Sequence, residues 1–142
     1  MKVKIFRENK DIQIPQYQTD FSAGMDLHSS ENTVIKPRER IAVKSGVKVA
    51  IPEGYELQAR PRSGLALRNG ITLANSPGTI DSDFRGEIKS IMINHSDEPF
   101  EIKKGDRICQ LVLKKVEKIE WHEVDNLDET ERGEGGFGST GV

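Results

Sequence analysis

The segment NSPGTIDSDFRGEI, Asn75 to Ile88, holds the residue types best suited to reaction chemistry. A turn at Ser76-Pro77-Gly78 enters it and Gly86 leaves it. Between them stand two carboxylates, Asp81 and Asp83, with Phe84 and Arg85 beside them. Such a segment can grip a flat ring through its own backbone and hold a carboxylate nearby. Composition alone favours a plainer reading, a β-hairpin whose Asp and Gly make the turn. A second cluster, ARPRSGLALRNG, puts Arg62 and Ser63 at the start of a short helix pattern. Backbone N–H groups there, with a guanidinium alongside, suit a phosphate; helix capping by Ser63 is the simpler alternative. Asp26 in SAGMDLHSS follows a glycine turn, where a lone aspartate is usually solvated. GDRICQLV supplies Arg107 and Gln110 after a turn, and Gln110 alternates with Cys109 and Leu111, so one strand face can be core and the other a site. Cys109 has no histidine near it in sequence and reads as packing. His28, His95 and His122 show no metal-ligand spacing.

The tail ERGEGGFGSTGV carries five of the thirteen glycines, and Gly133 to Gly138 spell a literal G-x-G-x-x-G. A dinucleotide loop needs a strand before it and a helix after it. Only four residues follow Gly138, so that reading is excluded.

The elements that must position these residues are short strands. Ile41, Val43, Val47, Val49 and Ile51 fall on odd positions, the period of a half-buried strand pair. YELQARP, ITLAN, EIKSIMIN and ICQLVLKKV are further strand runs. Turn signals separate them at Lys36-Pro37-Arg38, Pro52-Glu53-Gly54 and Lys104-Gly105-Asp106. One short helix is expected from Ser63, ended by Gly70. The pattern is that of an all-β sandwich or barrel in one domain. From Glu120 to Glu134 seven acidic residues accompany one arginine, which reads as an extended arm leading to the glycine tail.

Bulk properties agree. Hydrophobic residues make up 35% and charged residues 31%, with a net charge of -2; this argues against nucleic-acid coating but leaves room for a small polyanion. No apolar run approaches a membrane span, and MKVKIFREN has no signal-peptide core. A single cysteine points to a reducing, cytoplasmic or other intracellular compartment.

Taken in order, AGMDL, RPRSGLA, GTIDSDFRGEI, GDRICQL and RGEGGFGSTG resemble the five motifs of the homotrimeric dUTPase family, from Ala23 to Gly141. The resemblance implies a distorted jelly-roll β domain over residues 1–119. Residues 120–142 would be an arm and lid that close over a neighbouring subunit's site. It implies a homotrimer with shared active sites and magnesium-assisted hydrolysis of dUTP to dUMP and pyrophosphate. That activity limits uracil in DNA and supplies dUMP for dTMP synthesis.

By the same resemblance, Asp81 orients the attacking water and Asp26 holds waters of Mg2+. Arg62, Ser63, Gly64 and Gln110 contact phosphates. Asn75 and the backbone near Thr79 and Ile80 read uracil, Phe84 packs on the deoxyribose, and Lys89 reaches substrate. Arg132 clamps the γ-phosphate, Phe137 stacks on the base, and Gly138, Ser139 and Thr140 wrap the phosphates. Arg107 is expected in a structural or intersubunit pair. Phe84 stands where the family usually has tyrosine. Two other functions fit parts of the pattern: a dCTP deaminase, which lacks the fifth motif, and a non-catalytic trimeric binding protein.

Overall fold

Alternating β-branched residues and frequent turns produce short strands, and a computed structural model of the chain, describing residues 1–139 and 141, shows twelve of them among those residues. They are β1 (Lys4–Arg7), β2 (Gln16–Tyr17), β3 (Met25–His28), β4 (Thr33–Ile35), β5 (Arg40–Lys44) and β6 (Val47–Ala50). After these come β7 (Tyr55–Arg60), β8 (Ile71–Leu73), β9 (Gly78–Ile80), β10 (Lys89–Asn94), β11 (Phe100–Ile102) and β12 (Arg107–Lys115). The one helix, α1 (Ser63–Asn69), lies between β7 and β8.

Every strand pair is antiparallel. The largest sheet runs β2-β3-β12-β7-β9; β5-β10-β8 forms a second sheet, and β1-β6 and β11-β4 are two-stranded. All four contribute to one apolar core, which contains Leu27, Ile35, Val43, Val47, Ile71, Met92, Ile102, Cys109 and Leu111 at 0–2% exposure. The architecture is jelly-roll-like and all-β. Buried Asn94 is fully satisfied: its amide donates to Ile35 O and Glu98 O and accepts from Ser96 N and Oγ. It ties the end of β10 to the edge of β4, as a buried amide must be tied.

Two expectations change. Residues 41–51 do form two strands, but these do not pair with each other: β5 pairs with β10 and β6 with β1. Gly46, with φ of 66°, turns the chain from one sheet into another. Likewise, residues 75–88 are not a hairpin. β9 pairs with β7 while β10 pairs with β5 and β8, so residues 81–88 cross between sheets. Buried Ile80 and Ile88 anchor the two ends of that crossing in the common core; burial outweighs the local turn preference.

The helix forms where expected. Gly70 ends it in the left-handed conformation, φ 65°, its N–H donating to the carbonyls of Ala66 and Leu65, a standard glycine C-cap. The capping role expected of Ser63 is not seen: Arg62 occupies the N-cap and no side chain caps the helix. After β12 ends at Lys115, the described residues contain no further strand or helix. No described helix is long and apolar enough to cross a membrane.

Candidate active site

The centre of the large sheet gathers three of the sequence clusters. Within the ladder Gln110 on β12 stands opposite Asp26 on β3 and Arg60 on β7. Arg62 follows two residues beyond that partner. Its Nε lies 3.1 Å from Asp26 Oδ1, and its Nη1 donates to Arg107 O at 3.3 Å. Arg107 Nη1 donates to the other carboxylate oxygen, Asp26 Oδ2, at 3.3 Å. Asp26 is thus held between two guanidiniums with its side chain only 12% exposed. Gln110 Nε2 donates to Pro61 O at 3.0 Å. Its amide oxygen lies over Gly24, where a Cβ would come within 2.4 Å of it; the glycine of AGMDL leaves space for the glutamine. Ser63 is exposed, and no bond to its side chain is found among the described residues.

This cluster meets one expectation and corrects another. Arg107 takes the structural pair expected of it, within its own chain, to Asp26. Asp26 is an arginine-clamped carboxylate and not a solvated turn residue. No spacing in the sequence announces the Arg107–Asp26 pair: it forms where the register of β12 against β3 shifts between Arg107 and Cys109. Such an irregularity can re-aim a side chain. The sequence pattern gives His28, two residues beyond Asp26, no metal-ligand spacing. Its Nδ1 is buried without a partner among the described residues, and burial lowers the imidazole below its ordinary pKa. Cys109 matches its expected place in the core at 0% exposure. Ser90 Oγ donates to its sulfur at 3.2 Å, and burial pushes the thiol up to about 11.

The remaining cluster, residues 75–88, lies elsewhere. β9 is the outer strand of the large sheet, so one edge of its backbone has no strand partner among the described residues. An unpaired edge presents donors and acceptors to whatever lies beside it. Asn75 reaches back over Gly78, its Nδ2 3.1 Å from where a Cβ would stand. Asp81 is exposed just past the strand, and its carbonyl accepts from Phe84 N. Arg85 Nη1 donates to both Ser82 O at 2.6 Å and Phe84 O at 2.8 Å, which stiffens the segment. The Phe84 ring folds over Gly86, where a Cβ would meet it at 2.5 Å. Lys89 is exposed at the start of β10, 3.9 Å from Glu87. A cavity of about 890 Å³ opens beside Asp81, lined by Thr79, Ser82, Asp83 and Arg85 together with Tyr55 and Glu56.

The chain does not bring its two halves together. Ile80 pairs with Leu57, which puts Asp81 abreast of Glu56, six residues before Arg62 along an extended backbone. At about 3.3 Å per residue that separation is about 20 Å. None of Asp26, Arg62, Ser63 or Gln110 lines the cavity beside Asp81.

The tail is folded on itself. Arg132 Nε donates to Gly135 O at 2.8 Å, and turns link Thr130 to Gly133, Arg132 to Gly135 and Gly136 to Ser139. Phe137 is fully exposed with φ of 50°, an unfavourable state for an aromatic residue. Gly138 and Ser139 are exposed; Thr140 lies outside the described residues.

The dUTPase family model matches residues 10–141. The chain belongs to the dUTPase family. Its curated relatives include the deoxyuridine 5'-triphosphate nucleotidohydrolase of Nautilia profundicola, 57% identical over 141 residues and covering 99% of both chains. That of Fusobacterium nucleatum is 54% identical over 143 residues, covering 99% of this chain and 97% of the relative. Among solved structures, the Staphylococcus bacteriophage 80alpha dUTPase with dUPNHPP is similar at 28% identity and a TM-score of 0.91, over 99% of each chain. As a member of this family the chain is a hydrolase.

Proposed function

We propose that this protein hydrolyses dUTP to dUMP and pyrophosphate, in sites completed between subunits of a homotrimer. The observation that carries the shared-site reading is the separation of about 20 Å between Asp81 and Arg62 along one chain. A base and the groups that hold the phosphate under attack must meet within one reacting centre, about 3 Å from the atoms they serve. A neighbouring subunit supplies what one chain lacks.

Asp81 serves as the base that orients and deprotonates water for in-line attack on the α-phosphorus. Arg62, Ser63, Gly64 and Gln110 take the phosphate chain and neutralise the charge that moves to the leaving pyrophosphate. The donor set fits a metal carried in by substrate: Asp26 is a single carboxylate, and no three of His, Cys, Asp and Glu come together among the described residues. Magnesium keeps most of its waters and binds chiefly through phosphates. Bound that way, it would spread phosphate charge while Asp26 holds its waters.

Uracil is read by the free edge of β9 near Thr79 and Ile80, with Asn75. A backbone N–H can meet O4 and a carbonyl can meet N3–H; cytosine reverses that pattern and leaves buried groups unpaired, a mismatch worth up to about 10⁴–10⁵. Phe84 packs on the deoxyribose and leaves no room for a 2′-hydroxyl, a role its ring fills without the phenolic oxygen. Lys89 also reaches substrate. Residues 120–142 form the arm and lid: Phe137 stacks on the base, and Arg132, Gly138, Ser139 and Thr140 close on the phosphates. The exposure of Phe137 supports this, since stacking on a base would cover its ring.

The reaction limits uracil incorporation into DNA and supplies dUMP for dTMP synthesis. Pyrophosphate release from dUTP, with dCTP, dTTP and UTP as controls, tests the reading. Turnover of dUTP alone, reduced by about 10²–10⁴ in Asp81→Asn, is expected. Hydrolysis of UTP at a comparable rate would contradict the role given to Phe84, and unchanged activity in Asp81→Asn would remove the base.

A further inference from the structure

We propose that Asp26 is a built-in counter-anion of the phosphate cluster. In the free protein it occupies Arg62 and Arg107, and it surrenders them only to a polyphosphate that arrives with its own divalent cation. The site would therefore reject bare phosphate chains. This rests on the reading above that the cluster holds a phosphate chain, and adds to it a discrimination that Asp26 exerts without any metal.

The geometry is specific. Each carboxylate oxygen of Asp26 has its own guanidinium, Arg62 Nε at 3.1 Å and Arg107 Nη1 at 3.3 Å. The carboxylate is 12% exposed, Arg62 27% and Arg107 46%, so the arginines face outward and the anion sits behind them. Charge-assisted bonds of this kind are the strong ones. An incoming phosphate must take at least Arg62 away from Asp26. A buried carboxylate stripped of its partner is strongly unfavourable, and it would then confront phosphate oxygens of like charge a few ångströms away, in a site where such repulsion is poorly screened. Both penalties would be removed by a divalent cation held by the phosphates. Asp26 would then accept from the cation's waters in place of the arginines. The exchange then conserves pairing on both sides: arginine turns from carboxylate to phosphate, and carboxylate turns from arginine to hydrated cation.

The prediction departs from that of a simple metal-holding aspartate. If Asp26 served only the metal, its removal would ease metal-free binding only by the loss of one nearby like charge and would leave Arg62 as it was. If it is the resident anion, Asp26→Asn frees two guanidiniums and metal-free binding tightens. Inorganic pyrophosphate in EDTA, titrated calorimetrically into the full-length protein, is the probe. Asp26→Asn should bind it at least about tenfold more tightly than wild type, a difference of about 1.4 kcal/mol. Equal or weaker binding in a folded variant overturns the proposal.

A second measurement needs no variant. The Arg62 Nε–Hε resonance of the wild type should move on addition of magnesium pyrophosphate and stay in place with the same concentration of pyrophosphate in EDTA; any other pattern overturns it. Turnover of dUTP is scored separately on the wild type. Its absence would sink the dUTPase reading and leave these titrations to decide the role of Asp26.

Discussion

Mixing two inactive variants tests whether the site is divided between chains. Asp81→Asn keeps the arginine cluster and loses the base; Arg62→Gln keeps the base and loses a phosphate clamp. Each alone should lose at least about 10² in kcat/KM, from loss of the base or of a charged hydrogen bond in the transition state. Glu56, abreast of Asp81, and Arg62 are six residues apart, about 20 Å along an extended backbone, so on the shared-site reading each site draws Asp81 and Arg62 from different chains. When equal amounts are co-refolded, a site works if the chain giving Asp81 is the Arg62→Gln variant and the chain giving Arg62 is the Asp81→Asn variant. Random assembly satisfies each condition half the time, so about a quarter of wild-type activity returns in a cyclic assembly. A second mixture sharpens the reading. Wild type combined equally with an Asp81→Asn/Arg62→Gln double variant should retain about a quarter of full activity if sites are shared and about half if they are not. Pyrophosphate release from saturating dUTP is the assay. Activity of the first mixture no greater than that of its parents, with the second at half, would refute the division of the site.

Three other outcomes follow from the same geometry. Deleting Arg132–Val142 should leave secondary structure and melting temperature unchanged, because the turns and the Arg132 bond found in the tail fall within residues 130–141. It should lower kcat/KM by at least about 10², the combined loss of an aromatic stack and a charged hydrogen bond; full activity would remove the lid. In Gly24→Ala the new methyl would stand 2.4 Å from Gln110 Oε1. The end of a flexible side chain can swing aside, so the fold should survive while KM for dUTP rises by about 10–100-fold, the worth of one hydrogen bond to a charged group; steady-state kinetics beside a melting curve separates the two effects. The Cys109 thiol, held protonated up to about 11 against an ordinary 9.0, should resist alkylation at pH 8. Its folded pKa lies above its unfolded one, so its contribution to stability is complete below about pH 9 and is lost as pH rises toward 11, at about 1.4 kcal/mol per unit. Denaturant titrations across that window should show the fall in wild type and not in Cys109→Ala.

Much of this was legible in the residues, and the failures have a common cause. The run EIKSIMIN became β10 because alternation fixes which face is buried, ICQLVLKKV became β12 as an apolar run buried on both faces at its centre, and Gly70 ended α1 because it alone takes φ of 65° without cost there. Periodicity says nothing about partners. It made residues 41–51 look like one strand pair and residues 75–88 like a hairpin, when each crosses between sheets. Site chemistry failed in the same way. Asp26 reads as a turn aspartate until β12 pairs beside β3 and brings Arg107 to it. The orphaned Nδ1 of His28 has no sequence signature at all, since only the packing around it removes its partners.

The register of β7 ties these observations together. Its Arg60 end adjoins Gln110, close to Asp26, and its Leu57 end adjoins Ile80, next to Asp81. A β-ladder is stiff along the strand, and a slip of one residue would turn every side chain to the wrong face. The chain therefore cannot close this gap by bending or sliding β7 without expelling Leu57 and Ala59 from the core. Substrate binding cannot supply that cost, because large core disruptions consume most of a domain's stability. The proposed alternative is a second copy, which would present its arginine cluster to the first copy's Asp81. The rigidity that separates the two halves in one chain would then hold them at a fixed distance across the interface.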